Sequence, residues 1–297
     1  MRSGYVSIVG KPNGGKSTLL NNILEMHWAI TSDKAGTTRN IIQGVYEDSD
    51  SQIVFVDTPG INKPKDKLST ILNRKAYSTT DNVDLILFVV DVVKGFNKAD
   101  EVILNRLKEE ELPVILILNK VDKINKDLLL AKIMEYKDLF DFKEIFPISA
   151  LKDNLSDLIN TIKKYLPNEG KIFEDNTVTN ISTDFYISEI IREKVLRKTH
   201  DEVPHSVTCL VESKEFKKDT VVINAVIIVE RDSHKRIIVG SRGSMLKTIG
   251  FDARRDLEEY FGKKVYLSLF VKVIENWKEK DKFLKELGID SNDYFNE

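Results

Sequence analysis

Gly10-Lys11-Pro12-Asn13-Gly14-Gly15-Lys16-Ser17-Thr18, "GKPNGGKST", follows the apolar run "YVSIV" and leads into an amphipathic segment from Lys16 to Glu25. Gly10, Gly15, Lys16 and Ser17 satisfy G-x-x-x-x-G-K-[ST] between a strand and a helix, the setting that pattern requires. Glycines at these places let successive backbone N–H groups turn toward one anion. The lysine reaches the β- and γ-phosphates, and the serine hydroxyl ligates Mg²⁺. A helix starting near Lys16 adds its positive N-terminal end. The alternative is a glycine-rich turn, which motif and context together disfavour.

Working outward, "QIVFVD", "VDLILFVVD", "LPVILILNK" and "EIFPIS" repeat the strand signal of "YVSIVG" as near-continuous apolar runs suited to burial on both faces. Amphipathic segments over Ala99 to Glu109, Asp127 to Phe140 and Leu155 to Tyr165 alternate with them. That alternation predicts a mostly parallel sheet with helices on both faces, an α/β P-loop NTPase over residues 1–168. Ligands of such sheets bind at the carboxyl ends of the strands. "IIQGVYE" predicts an antiparallel edge strand, with "DSD" as the turn into "QIVFVD".

Two later strand ends carry matching chemistry. In Asp57-Thr58-Pro59-Gly60-Ile61 a carboxylate precedes a glycine, which suits Asp57 holding Mg²⁺ through water while the Gly60 N–H meets the γ-phosphate. In Asn119-Lys120-Val121-Asp122 the aspartate can accept hydrogen bonds from N1–H and the 2-amino group of guanine; adenine offers no donor at either place. A site built on such a bond rejects the analogue lacking it by as much as ~10⁴–10⁵. Lys120 would lay its stem against the base, and the Ser149-Ala150 backbone would meet the guanine oxygen. Alone, "DTPG" reads as a turn and "NKVD" as a helix cap and turn. In this order they point to GTP rather than ATP. Between them lies "ITSDKAGTTRN", from which one threonine should complete the Mg²⁺ shell and release it after hydrolysis; Thr38 is the choice and Thr37 the fallback. Ile61 stands where Ras-like enzymes place a glutamine that orients the attacking water, so slow intrinsic turnover is expected. The expected catalytic residues are Lys16, Thr38, Asp57, Gly60 and Asn13. The expected metal ligands are Ser17, Thr38 and Asp57. The nucleotide contacts span 10–18, 57–61, 119–122 and 149–150, so that Lys11, Pro12, Gly14, Thr18, Thr58, Pro59, Ile61 and Val121 enter by position.

Length and composition bound the rest. A chain of 297 residues suggests two domains, and 41% hydrophobic with 31% charged residues suits a globular protein. A net charge of -2 gives no global basic signature, so any nucleic-acid contact must be a local patch. Cys209, the single cysteine, excludes an internal disulfide and reads as a core thiol in the alternating "SVTCLVE". His27, His200, His205 and His234 lack metal-ligand spacing. "MRSGYVSIVG" reads as a first strand, no signal sequence is seen, and the longest apolar runs are too short to span a bilayer, so a cytoplasmic chain is expected.

After "LPNEG" the polar, aperiodic residues 169–180 read as a linker. Residues 181–297 change to an α+β pattern: a helix from Asp184 to Lys198, strands over Ser206 to Ser213 and Thr220 to Glu230, a short strand "RIIVG", a helix from Ser244, the strand "KVYLSLFVKV", and a helix from about Lys278 to Leu287. Gly240-Ser241-Arg242-Gly243 is a G-x-x-G loop, which brings backbone close to a sugar-phosphate chain as in KH domains. Alone it is a weak signal. Lys235, Arg236, Arg242, Lys247, Arg254 and Arg255 cluster around it, with Asp252 the one acid between Lys235 and Arg255. A solvated charged face is the bland reading; beside a close-approach loop, phosphate contacts are favoured. The RNA-binding candidates are Lys235, Arg236, Gly240, Ser241, Arg242, Gly243, Lys247 and Arg254.

Taken together, "GKPNGGKSTLLN", "KAGTTR", "VDTPGI", "NKVD", "PISA", "SEIIREK", "IIVGSRG", "KTIG" and "VKVIENW" resemble the Era family of bacterial GTPases, a G domain followed by a type II KH domain, through nearly the whole chain. Gly14 stands where the family usually has valine or alanine, and Gly36 where it often has glutamine. The resemblance implies a GTP/GDP switch with Mg²⁺ that binds the 3′ end of 16S rRNA through the KH groove and serves 30S subunit assembly and rRNA maturation. GTP would order the loops around Thr38 and Gly60, the domains would reorient, and hydrolysis would permit release of the RNA. It also implies a monomer, with peripheral membrane contact reported for such proteins. In related GTPases an asparagine at position 13 goes with a bound K⁺ beside the phosphates, which makes K⁺ a candidate cofactor. Two rivals remain: a tRNA-modifying GTPase, expected to carry a further catalytic domain, and a non-catalytic RNA-binding adaptor that only holds GTP.

Overall fold

The computed structural model describes residues 1–26, 29–31, 37–61, 64–79, 82–174, 179 and 181–289. His27, residues 32–36 with Gly36, and linker positions 175–178 and 180 lie outside the described residues. The chain divides into two compact units, one built from Met1–Thr31 and Thr38–Asn180, the other from Ile181–Gly288.

In the first unit the elements run β1 (Arg2–Val9), α1 (Lys16–Ile23), β2 (Ile42–Glu47), β3 (Ser51–Asp57), α2 (Lys67–Ser78), β4 (Leu85–Asp91), α3 (Lys98–Leu107), β5 (Val114–Asn119), α4 (Lys126–Tyr136), β6 (Glu144–Ile148) and α5 (Ser156–Ile162). The sheet order is β2-β3-β1-β4-β5-β6, parallel throughout except for β2, which pairs antiparallel with β3 at the edge. Every residue of β3, β4 and β5 is buried, so both faces of the sheet are covered. On one face Ile86, Phe88 and Val90 of β4 meet Leu116 of β5, Ala76 of α2, Leu104 of α3 and Tyr136 of α4. α2 has no counterpart in the sequence reading. It opens on a capping box, in which the Asp66 side chain accepts the Ser69 N–H and the Ser69 hydroxyl accepts the Asp66 N–H. The described part of 169–180 is tied down rather than loose. Gln52 accepts the N–H groups of Ile172 and Phe173, and Thr179 bridges to Gly44 of β2.

The second unit runs α6 (Thr183–Lys198), α7 (Val203–Ser206), β7 (Thr208–Phe216), β8 (Thr220–Val229), α8 (Asp232–Val239), α9 (Ser244–Phe261), β9 (Lys264–Val273) and α10 (Asp281–Glu286). β7 and β8 pair antiparallel, and β8 and β9 parallel, in the order β7-β8-β9. Cys209 is buried on β7, as a core thiol should be. One expectation fails: "RIIVG" is not a strand but the end of α8, so the G-x-x-G loop joins two helices. Three consecutive β-branched residues imitate a strand, yet only Ile238 turns into the core while Ile237 stays 48% exposed. That is the burial of one helical face.

Candidate functional site

β1 ends against the loop 10–15, and α1 begins at Lys16 with Gly15 as its N-cap in the left-handed region. Asn13, also left-handed at φ 64°, shapes the loop's turn. Lys16 is buried, and its ammonium donates to the Gly10 and Lys11 carbonyls at 3.0 and 3.1 Å, curled into its own loop. Burial lowers its pKa, and the nearby Asp57 carboxylate pulls the other way. Beside it the Ser17 hydroxyl donates to Asp57 Oδ2 at 2.6 Å and lies 3.0 Å from Thr38 Oγ1. Asp57, at the end of β3, has no solvent exposure, and its Oδ1 has no hydrogen-bond partner. Burial pushes its carboxyl up to about 6, against the opposing pull of Lys16, Ser17 and the Thr58 N–H.

A buried carboxylate with one orphaned oxygen, the Ser17 hydroxyl on its other oxygen and the Thr38 hydroxyl next to Ser17, fits a small hard cation, and this donor set suits Mg²⁺ with water completing its shell. Among the described residues no group of three His, Cys, Asp or Glu side chains offers an alternative metal site.

The DTPG segment lies against the loop. A Cβ on Gly60 would fall 2.6 Å from the Pro12 nitrogen, so only glycine allows this approach. Thr58 spends its hydroxyl on the Ile8 carbonyl at 3.0 Å. Ile61 turns its side chain into the hydrophobic core with Val9 and Val90, so its contribution to nucleotide binding is limited to its backbone.

On the base side Asn119 is a junction. Its Nδ2 donates to the Gly14 carbonyl at 2.7 Å, and its Oδ1 accepts the Lys120 and Ala150 N–H groups at 2.7 and 2.9 Å. The Ala150 donor expected for the guanine oxygen is thus bonded inside the site. Lys120, left-handed at φ 69°, donates to the Asn13 carbonyl at 2.7 Å and to Asp91 at 2.6 Å. Asp122 is paired with Lys152 at 2.9 Å, a bond that, with one from Ser149, holds its carboxyl below the usual range. Lys152 is 61% exposed, and so loose a partner yields readily to a better donor pair. Asp91 and Lys152 were not legible as site residues, since neither belongs to a motif.

In the second unit α9 and β9 bound an open groove of about 450 Å³, lined by Gly243, Leu246, Lys247, Gly250, Phe251, Arg254, Leu267 and Leu269. Of the RNA-binding candidates it brings together Gly243, Lys247 and Arg254; Lys235 and Arg236 sit on α8 away from that lining. The Arg254 guanidinium stands 5.7 Å from the centre of the Phe251 ring, which is 58% exposed. Cationic groups above an apolar wall suit a nucleotide strand, phosphate to one side and bases to the other. Its apolar wall was missed, although β9 alternates exposed and half-buried residues in a way that marks a second face.

Comparison with known proteins agrees with both units. A family model described as "50S ribosome-binding GTPase" matches residues 5–120, and a KH domain model matches residues 202–278. The chain is similar to a solved structure of Era in complex with MgGDPNP and nucleotides 1506–1542 of 16S ribosomal RNA, at 40% identity and a TM-score of 0.95, covering 98% of this chain and 99% of that one. It is likewise similar to a single-residue variant of Era from Aquifex aeolicus bound to GDP and AlF₄⁻, at 40% identity and a TM-score of 0.94, covering 98% and 100%.

Proposed function

The chain belongs to the Era family of GTPases, and from that premise we propose how its own residues serve a GTP-dependent switch on ribosomal RNA. It hydrolyses GTP to GDP and phosphate with Mg²⁺ as the metal cofactor. The G domain occupies 1–168 and the KH domain 181–297, joined by 169–180. The observation that carries the assignment is the orphaned Asp57 oxygen beside Ser17 and Thr38. These three would hold Mg²⁺, which when bound neutralises charge building on the phosphates.

Lys16 is released from the Gly10 and Lys11 carbonyls to meet the β- and γ-phosphates, and the backbone N–H groups of 13–18 surround them. The Gly60 N–H meets the γ-phosphate. Asp122 exchanges Lys152 for the guanine donors. With Ile61 in the core, no side chain at that position orients water, so intrinsic turnover is slow. Asn13 would favour a K⁺ ion that takes the arginine-finger part. Turnover should then be faster in potassium than in sodium buffer, and equal rates would remove K⁺ from the account.

The KH groove takes the 3′ end of 16S rRNA, with Gly243, Lys247 and Arg254 in the lining, Gly240, Ser241 and Arg242 in the loop that ends at Gly243, and Lys235 and Arg236 as further phosphate contacts from α8. The role is in 30S assembly and rRNA maturation, performed by a cytoplasmic monomer, a part of which would associate with the inner face of the membrane. Among the described residues no helix is long and apolar enough to cross a membrane. Single-turnover hydrolysis with and without the RNA 3′ end tests the reading. Hydrolysis that RNA accelerates is expected, whereas GTP retained unhydrolysed under both conditions would make the chain a binding adaptor.

A further inference from the structure

The connection from β4 to α3, residues 91–100, contains none of the motifs that mark the nucleotide site, yet it holds two of their lysines. Asp91 takes Lys120, as described above. Asp100, in the first turn of α3, takes Lys11, whose Nζ lies 2.5 Å from Asp100 Oδ2. Asp100 has no solvent exposure, its Oδ2 also accepts the Asn97 N–H at 3.0 Å, and its Oδ1 has no partner. Burial raises its pKa, and Lys11 and the Asn97 N–H oppose that rise.

A buried carboxylate with unused acceptor capacity is costly. As a contribution to stability alone the pair is poorly chosen, since apolar side chains of similar volume often fill such positions as well or better. Its effect is geometric. Lys11 is the second residue of the phosphate loop, and its carbonyl accepts the Gly14 N–H at 3.3 Å as well as the Lys16 ammonium. Its side chain is drawn away toward α3, so a residue whose charge suggests a phosphate contact serves as an anchor.

We propose that Asp100 is a positioning residue of the nucleotide site: through Lys11 it fixes the phosphate loop, as Asp91 through Lys120 fixes the junction with the base-reading loop, so that residues 91–100 hold both halves of the site in register. The proposal rests on the GTPase reading above. The loop cradles phosphates common to GTP and GDP, so losing the anchor weakens both nucleotides alike and leaves the preference for guanine in place.

The test uses the full chain, an Asp100→Asn variant, and a double variant, Lys11→Met with Asp100→Leu, that replaces the pair by apolar side chains. Calorimetry with GDP and GTP in Mg²⁺, nucleotide dissociation rates, and thermal unfolding without nucleotide are measured on each. Both variants should bind GDP and GTP roughly tenfold more weakly, the scale on which partners behind the contacting residues act. Dissociation should be faster, and the double variant, which also loses the Asn97 cap on α3, should still unfold cooperatively within a few degrees of the parent. A double variant that folds and binds both nucleotides as the parent does overturns this proposal alone. So does an Asp100→Asn variant that loses thermal stability with unchanged affinity, which is the behaviour of a purely structural pair. Failure of the unaltered chain to bind GTP overturns the GTPase reading and this proposal with it.

Discussion

If Asp57 holds Mg²⁺ as proposed, one side chain couples acid–base chemistry to metal binding. In the metal-free protein its carboxyl sits at about 6, above the roughly 3.9 of an unfolded chain. The folded state therefore holds the proton more tightly. The stability this supplies is complete below the unfolded value and lost as pH rises through about 6. Mg²⁺ held by Asp57, as proposed above, would take the place of that proton, so its stabilising effect should grow between about pH 5 and 8. We expect the melting temperature with Mg²⁺, relative to that without, to rise over this range, and to respond little in Asp57→Asn. A magnesium effect independent of pH would remove Asp57 from the metal site.

Single residues also show what a sequence reveals. Ser17 and Asp57 are legible because phosphate and metal demand particular atoms at fixed points on a loop and a strand end. Asp91 and Asp100 also serve nearby backbone N–H groups, but their pairing with two lysines of the site is delivered by the fold, and nothing in their local sequence marks that duty.

At the scale of elements, the 240–243 loop and α9 carry most of the residues proposed to meet RNA. Gly243 has φ +77° with nothing within 4 Å of where a Cβ would stand. Aspartate tolerates the left-handed region better than most residues, so Gly243→Asp should fold. It would place a negative charge at a groove lined by Lys247 and Arg254, repelling a phosphate strand. We expect RNA affinity to fall about tenfold or more with GTP affinity unchanged; equal losses of both would mean that the sites are not separate. β3, β4 and β5 were legible because burial on both faces writes an unbroken apolar run, whereas β6, expected to be buried likewise, lies at the sheet edge with only Ile148 buried. α8 was misread because "RIIV" satisfies strand composition while only one of its helical faces is covered. The groove's apolar wall escaped notice because Leu246 and Phe251 come from α9 while Leu267 and Leu269 come from β9. Their juxtaposition is created by the parallel pairing of β9 with β8, which local patterning does not encode.

For the whole molecule, a switch requires that nucleotide state and RNA affinity be linked. Thermodynamic linkage then fixes a symmetric outcome: if a non-hydrolysable GTP analogue tightens RNA binding by some factor, RNA must tighten analogue binding by the same factor. Filter binding of the RNA 3′ end at saturating analogue and at saturating GDP, with the reciprocal titration, should give matching ratios above one. A ratio of one in both directions would leave two independent binding modules on a single chain. Every step of the switch presupposes that the first unit recognises guanine through Asp122 and triphosphate through the loop around Lys16. Calorimetric titration of the nucleotide-free chain with GTP and with ATP in Mg²⁺ tests this most directly. Saturable binding of GTP with no measurable uptake of ATP is the expected result, and equal binding of the two, or of neither, would contradict the account at its base.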